Sequence, residues 1–470
     1  MFAQLLTTLS LKNTDAHWQS TLSSSTLFAL VRQPAEPLLS YCKNAAVGSF
    51  FQKLSFLLTV ILFACLALPC FVNDKEGLAL ILVASAVVYF VGTMAGGKEK
   101  RTASAIDLLV IAYGCINLIA AASSHYFAES IRGLAKVCVY LIGYFLFTGQ
   151  LSNNWRRTMV LVTVLLATGT LVAVYGLYQY KIGVAPLATW EDPSIEDKAT
   201  RIYSTLNNPN LLAGYLVPLV PLAGSLALSG LVRRQWLVGF LAAIAFAVLT
   251  VATVLTGSRG GYLGLFGGCA ALVLILGSFL WRRHPGWRPM VACLIILIPL
   301  ALCFAYYCFP SFQFRVLSMF AGREHSSNSF RLNVWLSSLA MLKDNWWFGI
   351  GVGNQAFRLV YGLYMRSGFD ALGTYCVPLE VAVETGVVGV VIFSLLVLAC
   401  LARAHISFWA AHSSFHHYLI AGAAAATIGL MIHGLVDTVF FRPQVQLIFW
   451  LLISILATCG YTDQDTVKAG

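Results

Sequence analysis

Two arginines stand where long apolar runs give way to polar stretches: Arg201, ahead of Asn207-Asn-Pro-Asn210, and Arg259, inside Thr256-Gly-Ser-Arg-Gly-Gly261. Each precedes or opens a predicted helix. Asn208 and Asn210 flank Pro209 at one helix start, and Ser258 is a cap-type residue at the other. Free backbone N–H groups and the helix dipole favour an anion at such starts, and a guanidinium beside them adds bidentate geometry. If the two starts are adjacent, Arg201, Arg259, Asn208, Asn210 and Ser258 form one oxyanion site. The competing reading anchors each arginine separately among lipid headgroups.

Carboxylates supply the next candidates. Glu380 and Glu384 lie one turn apart on a predicted span after Pro378, so they share a helix face. An acidic pair at membrane depth is costly, which points to function or to ion pairing with Arg201 or Arg259. Asp437 and Arg442 flank a turn and are expected to pair across it, with His433 one turn before Asp437 as its hydrogen-bond partner. Metal binding is not expected: no second His or carboxylate completes a ligand set around His433, and cysteines such as Cys65, Cys70, Cys293 and Cys303 stand singly in apolar runs. His405, His412, His416 and His417 read as solvated loop residues. The Gly349-Ile-Gly-Val-Gly353 run follows no strand and lacks a trailing Lys-Ser/Thr, so neither a nucleotide nor a phosphate-loop cofactor is expected.

The elements that must position these residues are membrane helices. Hydrophobic residues make up 59% of the 470-residue chain and charged ones only 10%, with mean hydropathy +0.79; a soluble domain usually carries about 25% charged residues. The net charge of +11 is scattered through short loops rather than gathered in a stripe, which argues against nucleic acid. The expected fold class is therefore an all-α polytopic membrane protein. Apolar stretches long enough to cross hydrocarbon fall at 55–72, 77–96, 105–122, 131–149, 158–177, 211–229, 236–255, 261–280, 289–308, 378–402, 418–435 and 445–459.

With a cytoplasmic N-terminus, basic clusters such as Lys98, Lys100 and Arg101, Arg156 and Arg157, Arg233 and Arg234, Arg282, Arg283 and Arg288, and Arg403 fall on the cytoplasmic side. Both termini are then cytoplasmic, in the plasma membrane by expectation. The organisation reads as a cytoplasmic segment 1–54, nine spans within 55–308, a large outer loop 309–377, three spans within 378–459 and a tail 460–470. Outer segments 178–210 and 309–377 exceed ordinary connections and should hold structure or function. Within the second, Leu332, Trp335, Leu336, Leu339 and Leu342 recur at helical spacing after Ser329, predicting a surface helix over 329–342 and another over 354–366.

Ala188-Thr-Trp-Glu-Asp192, Arg201-Ile-Tyr-Ser204, Asn208-Pro-Asn-Leu-Leu-Ala-Gly-Tyr-Leu216, Ser326-Ser-Asn-Ser-Phe-Arg-Leu-Asn-Val-Trp335 and Val377-Pro-Leu-Glu-Val-Ala-Val-Glu384 resemble the cyanobacterial IctB family over nearly the whole chain. That family is named for inorganic-carbon (bicarbonate) uptake. It is more distantly similar to the O-antigen ligase and polymerase superfamily, which has twelve helices, a large outer loop after the ninth, and enzymes that move a glycan from a polyprenyl pyrophosphate. The ligase resemblance implies that Arg201 and Arg259 hold the pyrophosphate. It also implies a loop histidine assisting the acceptor, yet Tyr375, in Thr374-Tyr-Cys-Val-Pro378, stands at that position. A tyrosine with an ordinary pKa near 10 is a poor base at neutral pH.

Three functions follow as expectations. The resemblance favours an IctB-type protein of bicarbonate accumulation with an outward anion site; the alternatives are a metal-independent glycan transferase using a polyprenyl pyrophosphate carrier, and a noncatalytic membrane subunit with a degenerate ligase site. In the enzyme reading Tyr375, Glu380 and Glu384 are the catalytic candidates. Membrane lipid is a partner in each.

Overall fold

A computed structural model describes residues 2–24, 44–69, 75–97, 101–152, 154–185, 201–308, 310, 313–314, 316–317, 326–411 and 414–459. Among them the chain is helical, with no strand. In order, the helices are α1 (Phe2–Leu9), α2 (Asp15–Ser24), α3 (Ala45–Cys65), α4 (Lys75–Met94), α5 (Ile106–Ser123), α6 (Phe127–Leu151), α7 (Trp155–Ile182), α8 (Pro209–Leu216) and α9 (Leu219–Val232). There follow α10 (Trp236–Leu255), α11 (Arg259–Arg283), α12 (Arg288–Cys308), α13 (Ser326–Asp344), α14 (Asn354–Tyr361), α15 (Val377–Ala410), α16 (Ser414–Gly434) and α17 (Pro443–Thr458).

Ten of these, with α8 and α9 taken as one interrupted span, are long and apolar enough to cross a membrane. The other two stretches expected to span are α12 and α17. The latter has 16 residues, and every one from Gln444 to Thr458 is buried, so it runs inside the bundle rather than along its rim. Rim helices α4 and α10 instead expose Leu80, Phe90, Leu237 and Phe240, as side chains facing acyl chains do.

Two boundaries differ from expectation, each beside a polar residue satisfied inside the bundle. The first span is 45–65 rather than 55–72: Asn44 caps α3 by accepting from Ala46 N at 3.0 Å, and the buried Gln52 donates across α4 to Thr93 Oγ1 at 3.4 Å. The tenth expected span, 378–402, continues to Ala410, and Arg403 is not a loop cation. Its guanidinium is 1% exposed, pairs with Asp15 at 2.9 Å, and donates to Ser10 O and Ser104 Oγ. The N-terminal segment is thereby fastened to the bundle, with α1 packed on α15. His416 and His417 are buried as well; the His417 ring lies 4.4 Å from that of Phe279.

The second long segment contains the two predicted helices, extended to 326–344 in α13 and shortened to 354–361 in α14. Between them, the Gly349–Gly353 run is a packing device. Ile350 N and Gly351 N donate to Val383 O and Glu384 O, and Val387 N donates to Trp346 O at 2.8 Å. The run thus docks on α15 where that helix breaks at Gly386, whose φ is 73°. A side chain at Gly386 would meet the Trp347 carbonyl, so backbone approaches backbone there without room for a Cβ.

Among the described helices, α11 packs along α16 and both contact α9. Gly264 and Gly429 face each other, and a Cβ added to either would lie 2.8 Å from the other's carbonyl oxygen. Small residues at such a crossing let membrane helices approach closely, which gains dispersion contacts where lipid offers no hydrophobic drive. This crossing fixes the head of α11 against the last turn of α16.

Candidate functional site

The site is built on the heads of α8 and α11. Asn208 caps α8, its Oδ1 accepting from Asn210 N at 2.9 Å and Leu211 N at 3.1 Å, with Pro209 in the first turn. Ser258 caps α11 by accepting from Gly261 N at 3.2 Å. These caps satisfy part of the backbone donors that the anion argument relied on. Positive charge at the two heads therefore comes mainly from the guanidinium groups.

Arg201 stitches the heads together. Its Nε donates to Thr256 O at 2.9 Å and its Nη2 to Asn210 Oδ1 at 3.0 Å, while Ile202 N donates to Leu255 O at 3.3 Å. Gly257, with φ 62°, opens the space: a Cβ there would lie 3.2 Å from Arg201 Nε. Arg201 thus lies against the turn that leads through Ser258 into Arg259. Arg259 Nη1 donates to Asn328 Oδ1 at 2.7 Å, which brings the first turn of α13 over the head of α11.

One turn along α13, Arg331 pairs with Asp437 at 3.8 Å, and Arg366 Nη1 donates to Asn333 Oδ1 at 3.1 Å. Asn328 and Arg331 belong to the Ser326–Trp335 motif but were not among the candidate residues. Their i, i+3 spacing, which places both on one face of the helix, was the available signal.

The expected Asp437–Arg442 pair does not form. Asp437 instead accepts from Val439 N at 3.1 Å and faces Arg331, because the turn at Val439–Phe441 directs the Asp437 carboxylate back toward α13. Nor does His433 bond to Asp437. Its ring is fully buried, with neither nitrogen hydrogen-bonded among the described residues.

Glu380 and Glu384 are buried at the head of α15, but neither pairs with Arg201 or Arg259. Glu380 Oε2 accepts from Thr374 N at 3.0 Å, and Glu384 Oε1 accepts from Gly353 N at 2.9 Å. Both carboxylates line one cleft of about 80 Å³ between α5, α6, α15 and α17, shared with Tyr113, Lys136 and Gln446. Tyr375 sits just before this head with φ 55°, its ring 5.6 Å from that of Phe330. Burial, and then the negative charge of Asp437, raise its phenol above the ordinary value, with Arg331 opposing. At neutral pH it is a hydrogen-bond donor or acceptor and not a phenolate. The Ala188–Asp192 motif and His412 lie outside the described residues.

Residues 242–394 match the model of the O-antigen ligase family, Wzy_C. That stretch of this membrane protein is O-antigen ligase-like. No curated protein matches the chain. The ligase-like stretch carries Arg259, Asn328, Arg331, Tyr375 and both glutamates, whereas Arg201, His433 and Asp437 lie beyond it and reach the same end of the bundle through the contacts above.

Proposed function

We propose that the chain is a membrane glycan transferase that takes a glycan from a polyprenyl pyrophosphate carrier. The observation that carries this reading is the stitching of Arg201 to the Thr256–Arg259 turn, which puts two guanidinium-bearing segments at one end of the bundle beside the ligase-like stretch. Guanidiniums suit pyrophosphate because their fork matches paired oxyanion oxygens, and charge developing on a leaving pyrophosphate is stabilised most by donors already in place. That end of the bundle faces away from the cytoplasm in this reading, with the carrier's tail among the helices.

In the transfer, the acceptor hydroxyl oxygen bonds to the anomeric carbon as its bond to the carrier pyrophosphate oxygen breaks. The hydroxyl proton passes to a base, and the carrier leaves as the polyprenyl pyrophosphate. Glu380 is assigned as that base, with Glu384 holding the Gly353 turn beside it and Tyr375 orienting the acceptor as a neutral phenol. The general-base contribution is of the order of 10²–10⁴-fold.

The test uses full-length protein in vesicles supplied with a labelled glycan on a polyprenyl pyrophosphate and an acceptor glycolipid. Label moving to the acceptor, and lost on Arg201→Lys with Arg259→Lys, supports the assignment. A bicarbonate site would draw on the same guanidiniums, but the ligase match favours pyrophosphate. Concentrative uptake of labelled bicarbonate without glycan transfer would reverse the order, and neither activity would return the chain to a noncatalytic subunit.

A further inference from the structure

His433 lies in the last turn of α16, inside the protein, and is a buried titratable group that the reaction above leaves unused. Its ring is wedged between the first turn of α11 and the second turn of α8. A Cβ added at Gly260, the residue after Arg259, would lie 3.0 Å from His433 Nε2 and 2.7 Å from Cδ2; one added at Gly214 of α8 would lie 3.4 Å from Cε1 and 3.6 Å from Nδ1. The imidazole therefore faces both helices whose heads Arg201 and Arg259 occupy. It is fully buried, and neither nitrogen has a hydrogen-bond partner among the described residues. A neutral imidazole carries one donor and one acceptor, and leaving both unmet in a buried place is costly, so such a group merits a role.

Its charged surroundings decide what that role is. Asp437 lies just beyond the helix, Arg331 faces it from α13, and Arg259 stands one residue from Gly260 on α11. From α15, Tyr375 and Glu380 share the field of Asp437. On α8 the ring meets Gly214, and further along α11 Gly264 lies against the His433 Cβ. Arginines oppose a positive imidazole, and Asp437 is already paired with one of them. An anion held at the two helix heads adds negative charge on the side of the ring lined by Gly260 and Gly214, and in a poorly solvated site added negative charge favours the positive imidazole.

We propose that His433 is a charge-compensating residue of the pyrophosphate site, taking up one proton from solvent when the anion binds and returning it when the anion leaves. This inference rests on the pyrophosphate reading and goes beyond it by tying occupancy of the site to a proton. The coupling gives a sign: affinity for the anion falls as pH rises through the imidazole's titration, by up to about tenfold per pH unit for one linked proton.

The experiment is isothermal titration of the full-length protein in lipid nanodiscs with farnesyl pyrophosphate, repeated in buffers of different ionisation enthalpy between pH 6 and 8. Wild type should bind with up to one proton more taken up per site than His433→Gln, which keeps a donor and an acceptor but no titratable ring. The probe's own phosphate protons enter both titrations and cancel in that difference. Equal proton uptake by the two proteins overturns the proposal while leaving the pyrophosphate reading in place. No binding by wild type removes both. If His433→Gln does not fold, His433→Asn takes its place, and the pH slope of the wild-type affinity remains a separate check: a flat slope from pH 6 to 8, after correction for the probe, overturns the proposal.

Discussion

Asn210→Ala is the sharpest probe of whether the two helix heads act as one site. The substitution removes the Oδ1 that accepts from Arg201 Nη2 at 3.0 Å, while Asn208, the residue that caps α8, is untouched. A hydrogen bond to a charged donor is worth about 1.5–3 kcal/mol, and the lower end applies because Arg201 is only partly buried. About 1.4 kcal/mol corresponds to a tenfold change in affinity. Loss of arginine orientation should weaken binding of farnesyl pyrophosphate by up to roughly tenfold, and the lost bond itself lowers folding stability, read separately in a melting curve. Arg201→Lys removes the forked donor that reaches both Asn210 and Thr256 O, so Asn210→Ala added to it should cost almost nothing more. A double-mutant cycle measured by calorimetry reads this coupling directly. Additive losses, or an Asn210→Ala protein that binds like wild type, would refute the claim that Arg201 is held for a ligand by the head of α8.

Four further outcomes test other parts of the structure. Gly386→Ala places a Cβ against the Trp347 carbonyl at a φ of 73°; the backbone strain alone is about 1–2 kcal/mol, and a lowered melting temperature in detergent checks it. Arg403→Leu removes the cation paired with the buried Asp15; loss of one partner of such a pair costs about 3–5 kcal/mol, and limited proteolysis should then cut the N-terminal segment at lower protease concentration than in wild type. Asp437→Asn weakens the hold on Arg331 and should lower transfer more than stability, read by the vesicle assay beside a melting curve. Tyr375 has its folded pKa raised, chiefly by burial, so folding favours the protonated phenol; stability is unaffected below the unfolded value of about 10 and declines as pH climbs above it. Tyr375→Phe should flatten that alkaline decline in thermal melts between pH 9 and 11, and an unchanged slope would sink the assignment.

Much of the scaffold was legible because apolar length and basic loops are strong signals, and the heads of α8 and α11 were legible because Asn208, Pro209 and Ser258 are cap and first-turn residues with little other use. What periodicity hides is polarity satisfied inside the bundle. Gln52 pushed the predicted start of α3 ten residues late, since nothing local reveals a bond to Thr93 on another helix. Arg403 reads as a loop cation for the same reason: its partners Asp15, Ser10 and Ser104 are hundreds of residues away in sequence. The packing of the Gly349–Gly353 run onto a broken helix at Gly386 could not be read from its glycine spacing, because it depends on Trp346 and Val387 meeting.

The pairing of Asp437 shows why the site itself was harder to read than the fold. Sequence proximity favoured Arg442, five residues on, yet the intervening Val439–Phe441 turn spends the Asp437 backbone neighbourhood on a local bond and aims the carboxylate at Arg331. That choice has consequences beyond one ion pair. It ties the loop after α16 to α13, while Asn328 of the same helix ties α13 to Arg259. Because His433 lies between that loop and Gly260, one helix, α13, links the guanidinium of Arg259, the Asp437 carboxylate and the buried imidazole. Displacing α13 must then disturb all three together. Proline introduced at Asn333, in the interior of α13, removes a helical hydrogen bond and costs about 3 kcal/mol or more; it should weaken pyrophosphate binding and abolish the His433-dependent proton uptake in the same protein. Loss of one effect with the other intact, measured by the same buffer-varied calorimetry, would separate the arginine site from the imidazole and break the argument that α13 joins them.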